Sequence, residues 1–335
     1  MILMFSLVRI VLDQPVGGEE RSAYITVVHG TTGARIAESL KKQHIIDTTI
    51  GFKLALKITG TAKHIQTGVY YFSTSMRPSA MVRMLRKGSI STIPLTVRPG
   101  DWLNDVANNV AQLGIISSDD FIAACRDQSL LHEYGINAST AEGYLYPDTY
   151  YLNRDTTAET LVRRLLDHFF TVVNESMRAH FHANGLSLHQ AVTLASIVES
   201  EVRKEHSYER PLVAGVYLNR LHRNMKLQAD PTVLYSLGYH KDRVLLVDLK
   251  NKSPYNTYKH KGLPPGPICS PSEYSLKAVA FPAHTDYIYF VAIPYQTRIG
   301  AQRSWLPAGS HYFSATYTEH RIAQRRYMYG EEVFF

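Results

Sequence analysis

The chain has 335 residues, 45% hydrophobic and 19% charged, so it has the composition of a folded globular protein with room for two or three domains, and disorder is excluded. Its net charge of +7 suits an acidic polymer or an anionic membrane surface, yet Lys and Arg are scattered and no dense basic run marks a nucleic-acid site. Cys125 and Cys269 lack metal-ligand spacing and the 15 histidines form no paired motif, so neither a metal site nor a cofactor is expected.

The chain opens on Met1–Leu12, MILMFSLVRIVL, which is too short to cross a bilayer, since a span needs about 20 residues. Three readings stand: a signal-anchor whose start lies upstream, a signal-peptide core, or a buried first element. The lack of a small-residue cleavage site favours the truncated anchor. Residues 1–22 are therefore set apart as a short apolar N-terminus.

Between Ala23 and Ile116 the sequence repeats itself. Ile25–Gly30 and Leu95–Gly100 each read as a short strand ending in a turn glycine. A helical pattern follows each, first Ile36, Ala37 and Leu40, then Val106, Ala107 and Val110. An apolar pair closes each copy, Ile45–Ile46 and Ile115–Ile116, every landmark displaced by 70 positions. Between the copies lie a strand at Gly68–Phe72 and an amphipathic helix from Pro78 to Lys87. This strand–glycine–helix unit resembles the LysM module, a small peptidoglycan-binding fold, and 23–116 is assigned as a LysM-like region.

From 117 onward the character changes. Ser117–Asp120 opens a helix, and Ala141–Tyr151 (AEGYLYPDTYY) is a loop crowded with aromatics around Glu142, Asp148 and Tyr150. Aromatic rings beside acidic and hydroxyl groups suit a sugar site, although a packed turn reads the same way. Thr156 and Glu159 cap a long helix running to His182. Ser187 and Gln190 form a capping box that starts the next helix. On that helix Leu188, Val192, Ala195, Glu199 and Val202 fall on one stripe, four apolar and one acidic. Glu201 and Glu205, with Lys204 beside them, project elsewhere, as expected of a solvated face. Taking a carboxyl group out of water favours its protonated form, which makes Glu199 the candidate proton donor. The plainer alternative pairs it with Arg203 four residues on.

The last third is rich in loops. Leu227–Val233 places Gln228 and Asp230 ahead of a helix that Pro231 can begin. Ser253–Tyr258 (SPYNTY), with Tyr255, Asn256 and Tyr258, leads to the Pro-rich Gly262–Ile268, a stiff loop able to hold side chains in place. Asp286–Ala292 reads as a strand and His311–Tyr329 as a closing basic helix. The overall class is α+β: LysM-like strand and helix units, then a mixed helical and strand catalytic domain over 117–335.

The segments EGYLYPDTY, LASIVESEV, LQADPTVLYSLG, SPYNTY, GLPPGPI, SPSEYSLKAVAFPA and HYFSATYTEH stand in the order seen in the MltG (YceG-like) family of endolytic murein transglycosylases, which the chain resembles over roughly residues 23 to 330. The resemblance implies a bacterial inner-membrane enzyme whose catalytic domain faces the periplasm, acting on peptidoglycan glycan strands, with cell-wall synthases as partners and no nucleic acid. It places the active-site glutamate in the ASI-[IV]-E stretch, at Glu199. Glu142, Tyr150, Gln228, Asp230, Tyr255, Asn256 and Tyr258 become the candidate substrate contacts. The implied reaction cleaves the β-1,4 bond between N-acetylmuramic acid and N-acetylglucosamine and leaves a 1,6-anhydro end. Its nucleophile belongs to the substrate, so no acidic pair is needed, and no second acid reads as comparably apolar. Two rivals remain: a hydrolytic muramidase using Asp230 or Glu142 as second carboxylate, and a LysM-type scaffold that binds glycan without cutting it.

Overall fold

Alternate residues of strand β1 (Ser22–Val27), Ala23, Ile25 and Val27, are buried, the period of two that a half-covered strand requires. The computed structural model that carries these observations describes residues 13–15, 21–88, 93–153, 156–293 and 307–328. The apolar run Met1–Leu12 lies outside them, as does Tyr329. The chain divides into two compact units, one reaching Pro94 and including 151–155, the other comprising Leu95–Tyr150 and Thr156 to the C-terminus.

In the first unit β1 pairs antiparallel with β2 (Gly68–Ser73), from Ser22 opposite Ser73 to Val27 opposite Gly68. Helices α1 (Gly33–Lys42), α2 (Thr49–Ile58) and α3 (Pro78–Lys87) complete it, each presenting an apolar stripe. Ile36, Leu40, Phe52, Met81 and Leu85 close on Tyr70 and Phe72, whose rings stack at 5.9 Å. Gly30 turns the chain from β1 into α1 at φ +82°, a conformation that costs a residue with a Cβ more than glycine.

The division at Pro94/Leu95 precedes the expected boundary after Ile116. The reason lies in the partners of that stretch. After β3 (Ile93–Thr96), Val97 N donates to Asp148 O at 2.9 Å. Gly100 N donates to Ser270 O at 2.9 Å, and Ser270 N returns a bond to Asp101 O at 2.8 Å. The second copy of the repeat therefore folds with the larger unit. Its helix α4 (Leu103–Gln112) stands 70 positions after α1 at both ends, so the repeat is real in local structure.

The second unit continues through α5 (Ser118–Ala124) and α6 (Gln128–Glu133) to the first half of β4 (Thr149–Leu152), the strand that pairs with β3; the division between the units falls after Tyr150. The long helix expected from Thr156 to His182 is two helices, α7 (Ala158–Val172) and α8 (Glu175–Ala183). They part where Val173 leaves helical geometry and Asn174 caps the next turn, its side chain accepting from Met177 N at 3.0 Å. Helix α9 (Leu188–Glu201) starts at the Ser187–Gln190 capping box and is buried without a break from Ala191 to Val198. It packs on α8, on α10 (Arg210–His222), on α11 (Asp230–Ser236) and on α12 (Glu273–Ala280). Gly143 lets the loop Ala141–Tyr151 pass close by: at φ +82°, a Cβ there would sit 2.3 Å from Pro267. Strand β5 (Tyr289–Ala292) pairs antiparallel with β6 (His311–Ser314), under α13 (Tyr317–Met328). The closing segment is thus a strand followed by a helix, since His311–Ser314 finds a partner strand in β5.

Candidate active site

Helix α9 ends in a turn carrying two carboxylates. Two positions apart, Glu199 and Glu201 leave the axis about 200° from each other and enter different surroundings.

Glu199 is built into the packing. Arg210 Nη2 of α10 donates to its Oε1 at 2.9 Å, with side-chain exposures of 5% and 7% for Arg and Glu. Its Oε2 accepts from Ser272 N at 2.9 Å, from the Ser272 hydroxyl and from Ser275 Oγ at 2.7 Å. Ser272 is the N-cap of α12, so the carboxylate also sits where that helix presents unpaired N–H groups and positive dipole charge. Arg210 further donates to Val202 O at 3.4 Å. Glu199 thereby ties α9, α10 and α12 together, and its partner is Arg210 rather than the nearby Arg203.

Glu201 faces a cavity of about 470 Å³. The expected solvated face is corrected here. Tyr217 on α10 donates its hydroxyl to Glu201 Oε1 at 2.6 Å. Glu201 as a residue is half-buried, and burial of its carboxyl group pushes it up to about 7. Burial is the main cause and the Asp230 charge adds to it, while the Tyr217 hydrogen bond, His311 and Arg220 pull the other way. Tyr217 itself is held neutral by burial and by the same carboxylate, so it remains a donor.

Gln228, Asp230 and Tyr258 line this cavity with Glu201. Tyr258 Oη donates to Asp230 Oδ1 at 2.6 Å. Gln228 takes φ +50°, a left-handed conformation that few non-glycine residues adopt, while its N–H donates to Thr257 O at 3.2 Å. The Ser253–Tyr258 turn holds it there.

The other candidates serve as scaffold. Asn256 is fully buried: Nδ2 donates to Leu249 O at 3.1 Å and Asn251 O at 2.7 Å, and Oδ1 accepts from Tyr258 N at 3.0 Å. Tyr150 is buried with its hydroxyl donating to Tyr146 O at 2.7 Å. Tyr255 packs on Tyr235 at 5.0 Å between ring centres. Glu142 is buried at the start of α4, where both oxygens accept from Leu103 N (3.1 and 3.0 Å) and Oε2 from Tyr235 Oη (3.1 Å). Burial pushes its carboxyl up to about 7, so the expectation that no second acid has an apolar setting is also corrected.

Sequence reasoning passed over the far wall. Arg220 is locked by bonds from Nε to Ile288 O (2.6 Å) and Nη1 to Leu227 O (2.5 Å) and lies over the Tyr289 ring at 5.4 Å. His311 is fixed by Glu209, which takes its backbone N–H at 3.0 Å and meets Nδ1 at 2.7 Å. Tyr289, His311, Tyr317 and His320 all line the cavity. The available signal was HYFSATYTEH, a motif whose two histidines both reach this wall.

Fold and site together define an α+β protein with a cavity at the end of a buried helix, lined by a carboxyl group raised to about 7. The model of the YceG-like family matches residues 25–326, and the chain belongs to that family. It is 32% identical over 334 residues to an endolytic murein transglycosylase of Bacillus subtilis, covering 95% of this chain and 88% of the relative. A protein of the same name from Streptococcus pneumoniae serotype 2 is 28% identical over 80% of this chain, which spans 54% of that relative's length. The crystal structure of a yceG-like protein from Listeria monocytogenes superposes with a TM-score of 0.62 at 28% identity, over 90% of this chain and 98% of that one.

Proposed function

We propose that this chain is an endolytic murein transglycosylase and that Glu201, rather than Glu199, is its acid–base residue. The carrying observation is Glu201 itself: a carboxyl group poised near neutrality, open to a cavity that also holds Gln228, Asp230 and Tyr258. Protonated Glu201 donates to the glycosidic oxygen between N-acetylmuramic acid and N-acetylglucosamine. The resulting carboxylate then takes the proton of the muramoyl C6 hydroxyl as that oxygen bonds to C1, closing the 1,6-anhydro ring. Tyr217 orients the carboxyl group through its 2.6 Å bond. Glu199 keeps α9 seated on α12.

Asp230 in the same cavity favours one second reading, hydrolysis with Asp230 activating water. Mass spectrometry of murein fragments separates the two, since lysis leaves 1,6-anhydro ends and hydrolysis leaves reducing ends. Loss of both products in Glu201→Gln, with retention in Glu199→Gln, supports the assignment; the reverse pattern overturns it.

The LysM-like reading of the first unit belongs to the same proposal. Its support is a cavity of about 700 Å³ lined by Gly30–Ala34 together with Lys53, Lys57 and Lys63. Among the described residues no carboxyl group lines that cavity, so it offers a binding surface without a carboxyl proton donor. Attachment to the inner membrane through Met1–Leu12, with the cleft facing the periplasm near cell-wall synthases, completes the picture. Among the described residues no helix is long and apolar enough to cross a membrane. Cell fractionation tests the attachment, and recovery in the soluble cytoplasmic fraction rejects it.

A further inference from the structure

The wall of the Glu201 cavity formed by β5 and α13 has a role that proton transfer leaves unused. His320 stacks on Tyr289, with ring centres 4.8 Å apart and planes at 17°. Tyr289 in turn carries the Arg220 guanidinium over its ring, and Arg220 is held by two backbone carbonyls. The imidazole is therefore fixed in orientation. Its Nδ1 is buried and has no hydrogen-bond partner among the described residues. Burial, with the Arg220 charge nearby, holds the ring below its ordinary pKa, so it carries one proton to be placed on one of two nitrogens. An orphaned buried N–H is rarer than an under-satisfied acceptor, which puts the bare nitrogen at Nδ1 and the proton on Nε2. Two apolar side chains of the same helix, Tyr317 and Met328, line the cavity while remaining 61% and 52% exposed. The Tyr317 ring lies 6.0 Å from that of Tyr289, so an exposed aromatic face stands beside His320 on this wall.

We propose that His320 is a specificity-determining residue: its Nε2–H donates to the acetamido carbonyl of an N-acetylated sugar whose ring lies on Tyr317 and whose methyl meets the apolar wall. An acetamide supplies a strong acceptor next to a methyl group, which matches a fixed donor beside the clustered rings of Tyr289 and Tyr317, whose centres lie 6.0 Å apart; a sugar hydroxyl or a free amine lacks the apolar half. Arg220 beneath Tyr289 also disfavours the ammonium of a deacetylated sugar. The inference rests on the glycan reading and names the substituent that the cleft selects.

Calorimetry on the Glu201→Gln protein, which does not consume its ligand, tests this with two defined probes, N-acetylglucosamine hexamer and its fully deacetylated counterpart. His320→Phe in that background keeps the ring stack but removes the donor. It should weaken binding of the acetylated hexamer by about three- to tenfold and leave the deacetylated one unchanged. His320→Gln, which can place an amide N–H near the Nε2 position, should recover part of the loss. Tyr317→Ala should weaken both probes alike, because it removes the platform and not the acetyl contact. Equal losses on both probes with His320→Phe, no loss on either, or no binding of the acetylated hexamer before substitution overturns the proposal. If His320→Phe fails to fold, His320→Gln and Tyr317→Ala decide it by the same comparison. The transglycosylase reading falls separately, if the wild-type protein releases no anhydro ends from murein.

Discussion

The two sides of the last turn of α9 place the same functional group in opposite circumstances. Toward α12, Glu199 accepts from Arg210, Ser272 and Ser275, and its charge is matched by a guanidinium and a helix N-terminus. Toward the cavity, Glu201 has one short hydrogen bond from a neutral tyrosine, and the charges around it partly cancel. Both carboxyls are removed from bulk water, so burial alone does not make a proton donor. What separates them is their partners: Glu199 is engaged through both oxygens with α10 and α12, whereas Glu201 has one short bond, lines a cavity and is raised to about 7.

The sharpest test of that contrast is the largest effect. Glu201→Gln keeps the shape of the side chain but removes the transferable proton, so turnover should drop about 10²–10⁴-fold or more with the melting temperature little changed. Murein turnover followed by anhydro-end release measures this, and activity within a few-fold of wild type removes Glu201 from the mechanism. In the wild type, the rate should fall as pH rises through about 7, because the donor form is lost there.

The complementary break is structural. Arg210→Met leaves the Glu199 carboxylate buried beside α12 without its cation, and removing one partner of a buried pair costs about 3–5 kcal/mol. Denaturant unfolding should show that loss, while the folded fraction retains wild-type chemistry. A fully stable variant that is catalytically dead assigns Arg210 to the reaction instead.

How much of this was legible follows from what each signal depends on. The capping box at Ser187, the turn at Gly30 and the 70-position offset between α1 and α4 are local, and local chemistry decided them. The stripe on α9 rightly puts Glu199 in the packing, but the helix is buried all round from Ala191 to Val198, so the stripe could not place Glu201. With no solvent face, angular position carries no information about exposure, and the residue off the stripe was the one facing the cavity. What surrounds Glu201 comes from Tyr217, Asp230 and the β5–β6 wall, far apart in sequence. Motif residues such as Asn256 and Tyr150 were legible as important but not as to why: their polar atoms satisfy backbone groups of tight loops.

Glu142 sharpens the comparison from a third side, as an acid raised to about 7 that does not line the Glu201 cavity. Its folded value exceeds its ordinary 4.5, so between those pH values the folded chain binds more protons than the unfolded one. The associated stability is complete below about pH 4.5 and is lost as pH rises through about 7, up to about 3 kcal/mol in all. Glu142→Gln should flatten the stability profile across that window, read as the wild-type-minus-variant difference in unfolding free energy at pH 5 and pH 8. A difference that stays constant with pH refutes the buried-acid account.

The smallest effect belongs to Tyr258, where cavity and scaffold meet. Its hydroxyl donates to Asp230 Oδ1 at 2.6 Å, and its backbone N–H is anchored on Asn256. Tyr258→Phe keeps the ring and that anchor, so only the Asp230 bond is lost. Asp230 is exposed toward the cavity and regains water, which limits the stability cost to about 1 kcal/mol. Freed from Tyr258, however, Asp230 samples positions that no longer place its charge beside Glu201, one of the influences that holds that acid near 7. The alkaline limb of the pH–rate profile should move to lower pH and kcat/KM at pH 7.5 should fall about threefold to tenfold, more than the stability loss explains. Asn256→Ala, by contrast, removes three bonds to backbone groups and should lose stability first, with its pH profile unmoved in the folded fraction. If Tyr258→Phe leaves the alkaline limb where it was, Asp230 does not tune Glu201 through this hydrogen bond, and the poise of the acid rests on burial and Tyr217 alone.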